Sequence, residues 1–161
     1  MDGIFTLDLL YKLICAGVAS IAFAIILKVA KRHLLFSCIG AMMTYLIYFI
    51  ANSILSSLFV AAFVSAMFTS LYAEVLARLR RAPTIVFALT GVIPTVPGGD
   101  LYHAMRELIT GNVDAALGHF VDTVEIGLGI AGGIVAMSVL FGITMDMIKR
   151  IKCKLTKGSA N

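Results

Sequence analysis

Charge is what this sequence has least of. Asp, Glu, Lys and Arg make up 14% of its 161 residues, and 60% are hydrophobic. A soluble domain carries about 25% charged residues. With a mean hydropathy of +1.00, the chain is excluded from the ordinary water-soluble globules and reads as an integral membrane protein, with the lipid bilayer as its first partner. Its length provides several crossings and no separate soluble domain. A basic leader is also lacking: Met1 to Asp8 carries Asp2 and Asp8 and no Lys or Arg. The first apolar segment is therefore expected to be retained rather than cleaved. Cys15, Cys38 and Cys153 fit no metal or disulfide spacing and read as apolar filler. His33, His103 and His119 share no ligand spacing, so neither a metal nor a cofactor is expected. Nucleophile elbow, zinc helix and phosphate loop are all missing, which argues against an enzyme. The net charge of +4 comes from short clusters beside apolar segments. That pattern speaks of membrane topology rather than nucleic-acid binding.

What is present is a series of apolar runs. The first, 9–27, is interrupted only by Lys12. From Leu34 to Ala73 there is no charged residue; as one helix those 40 residues would reach about 60 Å, twice a hydrocarbon core of about 30 Å. The run must fold back, and Asn52-Ser53 is the polar pair suited to a turn. Spans of 34–51 and 54–73 follow. A fourth span, 83–98, opens at Pro83, a favourable first helical position. The fifth, 121–147, contains the uncharged stretch Ile126–Met145. The expected architecture is all-α: one transmembrane domain over 1–148 with five helices, then a basic tail over 149–161. Lys28, Lys31 and Arg32 follow span one, Arg78, Arg80 and Arg81 follow span three, and Lys149, Arg150, Lys152, Lys154 and Lys157 follow span five. Five crossings place all three clusters on one side, the cytoplasm, with the N-terminus outside.

The fourth span is broken. Pro94 has no N–H for the Thr90 carbonyl, and Pro97 none for the Ile93 carbonyl. Such backbone is tolerated at membrane depth only where it packs in protein or lines a wet cavity. A helix over Thr84–Val92 covers about 14 Å. Extended chain from Ile93 to Gly98 adds about 19 Å, so the pair matches a bilayer core with its break near the midplane. Leu101–Ile109 then reads as a short amphipathic helix on the outer side, N-capped by Asp100 and ended by Gly111. Asn112 or Asp114 caps the next helix.

Candidate pathway residues are Thr90, Pro94, Thr95, Pro97, Gly98, Gly99 and Asp100. The helix start at Asp100 offers amides to a carboxylate, and the freed Thr90 and Ile93 carbonyls face cations; a purely structural kink is the alternative. Candidate coupling residues are Glu125, Asp122 and Lys12. An interfacial first turn explains the two acids through the helix dipole, whereas Glu125 facing the bundle would carry a proton or meet an amine. Lys12 either snorkels to the headgroups or pairs with Glu125 or a substrate carboxylate. Ala61/Ser65/Thr69, Ala62/Ala66/Ser70 and Gly129/Gly133 form close-packing faces. Gly127 to Gly132 matches the dinucleotide fingerprint only by letter, since it lies in a transmembrane run with no strand before it.

The block Gly91-Val92-Ile93-Pro94-Thr95-Val96-Pro97-Gly98-Gly99-Asp100-Leu101-Tyr102, followed by Gly111-Asn112 and a final helix rich in small residues, resembles the threonine/serine exporter family. More narrowly it resembles the C-terminal five-helix half, which many bacteria make as a separate small subunit. The resemblance implies an export system of the bacterial inner membrane and a larger partner subunit with its own five-helix half. It also implies a cargo of threonine and serine or of succinate-like dicarboxylates, with Pro94–Gly99 on the pathway. The function expected is the small subunit of a two-component, proton-driven secondary exporter, with a homo-oligomer in place of the larger partner as a variant. A non-transporting scaffold for a larger partner and a channel-forming homo-oligomer are the competing readings.

Overall fold

A computed structural model describes residues 2–158, with side chains for 9–148 and Arg150. Met1 and the last three residues of the tail lie outside the described residues, as do the side chains of Lys149, Lys152, Cys153, Lys154 and Lys157. Every element among the described residues is helical. The elements are α1 (Asp2–Ile26), α2 (Lys31–Leu55), α3 (Leu58–Arg80), α4 (Thr84–Val92), a 3-10 turn (Ile93–Thr95), α5 (Gly98–Ile109) and α6 (Val113–Gly158). Four of these helices are long and apolar enough to cross a membrane; the bent pair, α4 with its turn and α5, makes a fifth candidate. The chain is thus an all-α polytopic membrane protein.

The loop between the second and third spans comes later than expected. α2 continues through Asn52 and Ser53 to Leu55, and the chain reverses at Ser56-Ser57, where Ser56 is left-handed (φ 49°) and donates its N–H to the Asn52 carbonyl at 3.0 Å. In an apolar surrounding, each further helical residue keeps a backbone hydrogen bond that a turn would forfeit. Pro83 is the cap preceding α4 rather than its first residue.

The break differs from the expectation in three respects. Ile93–Thr95 is a 3-10 turn, so only Val96 and Pro97 separate it from the next helix, not six extended residues. α5 begins at Gly98, three residues before Leu101, because its first N–H groups owe nothing to an intrahelical acceptor and tolerate the break. Asp100 is consequently not the N-cap, which is Pro97, but an acid in the first turn, where the helix dipole favours it. The axis turns by 48° at the break. Projected on the α4 axis, α4, the turn and α5 advance about 30 Å.

α6 pairs most extensively with α3. Gly129 and Gly133 bring it against the α3 backbone: a Cβ on Gly129 would lie 2.6 Å from the Phe59 carbonyl, and one on Gly133 would meet the Phe63 carbonyl and Ala66. The facing α3 residues Ala62 and Ala66 are fully buried. At the other end of this seam Arg78 lies over the Phe141 ring at 4.8 Å. Since Gly129 is level with the start of α3, the first turns of α6, Val113–Glu125, rise about 20 Å past it. α5 packs alongside them, and Gly111 at φ 85° turns the chain between the two. This hairpin marks one end of the bundle; the arginines of α3 and its loop mark the other.

Candidate functional site

The chain's unusual backbone is surrounded by hydroxyl groups. Ser20 of α1 reaches the Thr90 carbonyl at 2.9 Å and the Ser37 carbonyl at 3.2 Å. The acceptor that Pro94 leaves without its helical donor is therefore satisfied from a neighbouring helix. The Ile93 carbonyl accepts the Val96 N–H at 3.1 Å. Neither carbonyl stands open to a cation as the sequence suggested. Thr95 donates to the Val92 carbonyl at 2.7 Å and is buried. Thr44 and Thr69 meet at 2.7 Å, each within 2.9 Å of a carbonyl of its own helix. Gly91 lets α4 approach α3 here, since a Cβ would lie 2.7 Å from the Thr69 methyl. Ser20, Ser37, Thr44, Ser65, Thr69 and Thr90 thus form a buried hydroxyl layer contributed by four helices.

Beside the break lies an open cleft of about 300 Å³, lined by Tyr11, Lys12, Cys15, Ala16 and Ala19 of α1, Tyr45 of α2, and Pro94. An ammonium and two phenols at its wall can bind a carboxylate by charge and hydrogen bonding. Lys12 therefore belongs to the break, a relation its position 82 residues upstream (94 − 12) does not reveal.

Past the break, Asp100 on α5 meets His119 and Asp122 on α6, with donor atoms all within 4.8 Å of one another. His119 Nδ1 is 3.7 Å from Asp100 Oδ1, and the His103 ring lies 5.4 Å from the His119 ring. Two carboxylates and an imidazole can share protons, and the donor set also suits a divalent cation. The sequence named Asp100 and Asp122 separately and left out His119. The signal was the His119/Asp122 spacing of three on one helix face; its meaning depended on the Gly111 turn. Gly98 and Gly99 are exposed with open space where a side chain would be. Glu125 is exposed one turn along α6 and is outside this cluster.

The model of the threonine/serine exporter family, ThrE, matches residues 12–140. The chain belongs to the threonine/serine exporter family. No curated protein and no solved structure matches it. The match runs from Lys12 on α1 past the middle of α6, so it takes in the break, the hydroxyl layer, the Asp100 cluster and all of the cleft but Tyr11. This exporter-family chain is accordingly a transporter-type, multi-pass membrane protein.

Proposed function

We propose that the chain is the small subunit of a two-component secondary exporter, moving small amino acids such as threonine and serine, or succinate-like dicarboxylates, out of a bacterial cell. Its N-terminus faces outward and its basic clusters face the cytoplasm. The observation that carries this reading is the Lys12–Tyr11–Tyr45 cleft against Pro94, next to a hydroxyl layer that needs no charge to hold the break in place. A carboxylate is common to both cargo classes and fits that wall. The cluster of Asp100, His119 and Asp122 supports proton coupling, because it gathers an imidazole and two carboxylates, groups that can pass protons, at one place. Glu125 takes the same role only by moving inward.

Five helices are few for a sealed pathway, so a larger five-helix subunit or further copies complete it. The test is efflux of labelled serine, threonine and succinate from proteoliposomes holding the chain with and without its larger partner. Lys12→Gln is expected to lower efflux at least about tenfold with assembly intact. Absence of efflux from every combination overturns the reading. A scaffold role for the chain is favoured by one feature, the apolar groove of about 400 Å³ along the α5–α6 hairpin. It predicts that Pro94→Ala with Pro97→Ala reduces assembly and transport in proportion.

A further inference from the structure

The end of the bundle opposite the hairpin holds a second cleft, of about 250 Å³, between the α1–α2 and α3–α4 loops. Lys28, Arg32, His33 and Arg81 line it, and no Asp or Glu does. Lys28 and Arg81 each take a left-handed conformation just past the end of a helix (φ 55° and 52°), which brings basic residues from two separate loops to the same concavity.

Two helices also begin here. The N-cap of α2 is Ala30 and that of α4 is Pro83, and neither makes a side-chain capping bond; both residues line the cleft. His33 and Val86 turn their N–H groups back onto Ala30 and Pro83. The N–H groups ahead of them have no acceptor within the helix. Each helix start further carries the positive end of its dipole.

The third observation is His33 itself, 4% exposed. Arg32 Nε donates to His33 Nε2 at 3.0 Å. A ring nitrogen that accepts bears no proton, so the neutral imidazole carries its hydrogen on Nδ1. That Nδ1 is closed off from solvent and has no hydrogen-bond partner. A buried donor without an acceptor is costly. Cations, uncapped amides and an orphaned imidazole N–H all lack the same thing, an anionic acceptor. Basic residues that merely snorkel to a membrane surface require no concavity, no pair of uncapped helix starts and no buried orphan donor.

We infer that this cleft is an oxyanion site, taking a carboxylate or phosphate group between Arg32, Arg81 and Lys28, with the His33 Nδ1–H and the first amides of α2 and α4 completing the ring of donors. The oxyanion comes either from a free solute or from a lipid headgroup. The site does not depend on the exporter reading, and its test reads binding rather than transport.

Tag-free full-length chain is placed in nanodiscs of phosphatidylcholine and titrated calorimetrically with succinate and with inorganic phosphate. In a second arm, discs containing phosphatidylglycerol are examined by native mass spectrometry for retained anionic lipid. Binding in the first arm identifies a solute, and retention in the second identifies a headgroup; either supports the site. Arg32→Gln with Arg81→Gln is expected to weaken whichever binding is found at least about tenfold. His33→Asn, which keeps a side-chain N–H donor, retains more of it than His33→Phe. Arg78→Gln removes a cation that lies over Phe141 and beside Glu74, outside the cleft, and leaves binding unchanged. Should the double variant fail to fold, Arg81→Gln on its exposed loop is read in its place. Binding in neither arm overturns the proposal. So does equal loss in Arg78→Gln, which would mean diffuse charge, or His33→Phe binding as well as the wild type.

Discussion

The middle of the bundle and the α5–α6 hairpin are held together in opposite ways. In the middle, glycines and alanines let backbones touch, and hydroxyls bond across the contact: Gly129 and Gly133 on the α3 backbone, Gly91 on Thr69, Ser20 on Thr90. In the hairpin, Ala104 and Ala116 are the buried residues, and the larger side chains beside them stay uncovered. Leu101, Met105, Leu108, Leu117 and Phe120 line a groove whose far side is open, and each is more than two-fifths exposed. Within a lipid-like surrounding, apolar side chains gain little by leaving the solvent, so close approach and hydrogen bonds decide the fit. The hairpin follows the logic of water-exposed helices, where an apolar stripe seeks cover, and its cover is incomplete.

The largest effect is expected where the seam is tightest. Gly133→Leu drives a side chain into the Phe63 carbonyl and Ala66. It should destabilise by about 3 kcal/mol or more, beyond ordinary overpacking because backbone is what must move, read as loss of monodisperse protein and a lowered unfolding midpoint in detergent. Gly142→Ala, with open space around it, should stay within about 1 kcal/mol. Ser20→Ala removes the donor from the buried Thr90 carbonyl and should cost about 1–3 kcal/mol, seen in the same unfolding assay. Thr44→Val breaks one hydroxyl pair and should cost about 0.6 kcal/mol, with 1.7 as the upper range for such bonds in membrane helices. Leu108→Ser with Leu117→Ser should change the isolated chain by less than about 0.5 kcal/mol, yet weaken co-purification with a larger subunit. A large loss of stability in the isolated chain would erase the contrast between the two regions.

The sequence made the helices easy to find and their ends hard. Apolar runs with at most one charge, each followed by arginines and lysines, identify α1, the α2–α3 pair and α6, since lipid excludes ionic groups over a fixed thickness. Asn52-Ser53 misleads because turn preference reflects a backbone that water can satisfy; without it α2 keeps its hydrogen bonds through to Leu55. Extended chain through Gly98 is the sequence expectation, but at the first two positions of α5 Gly98 and Gly99 interrupt no intrahelical hydrogen bond. The small-residue faces were legible, as a repeat of four on a helix can only face one neighbour. The cleft and the Asp100–His119–Asp122 cluster were not. Both join residues far apart in the chain, and only the loop geometry at Ser56 and Gly111 sets which turns of which helices come level.

α6 runs for 46 residues, about 69 Å, more than twice a hydrocarbon core. Its seam with α3 runs from Gly129 through Gly133 to Phe141, and Val113 stands roughly 30 Å from Gly133 at the end of an arm that projects past the seam. A tilt of about 5° there carries Val113 through about 2.6 Å by the length of that arm. His119 and Asp122 ride on the same arm while Asp100 follows from the far side of the break. Any tilt at the seam would be magnified where the acids meet, because α6 is a single uninterrupted helix from Val113 onward.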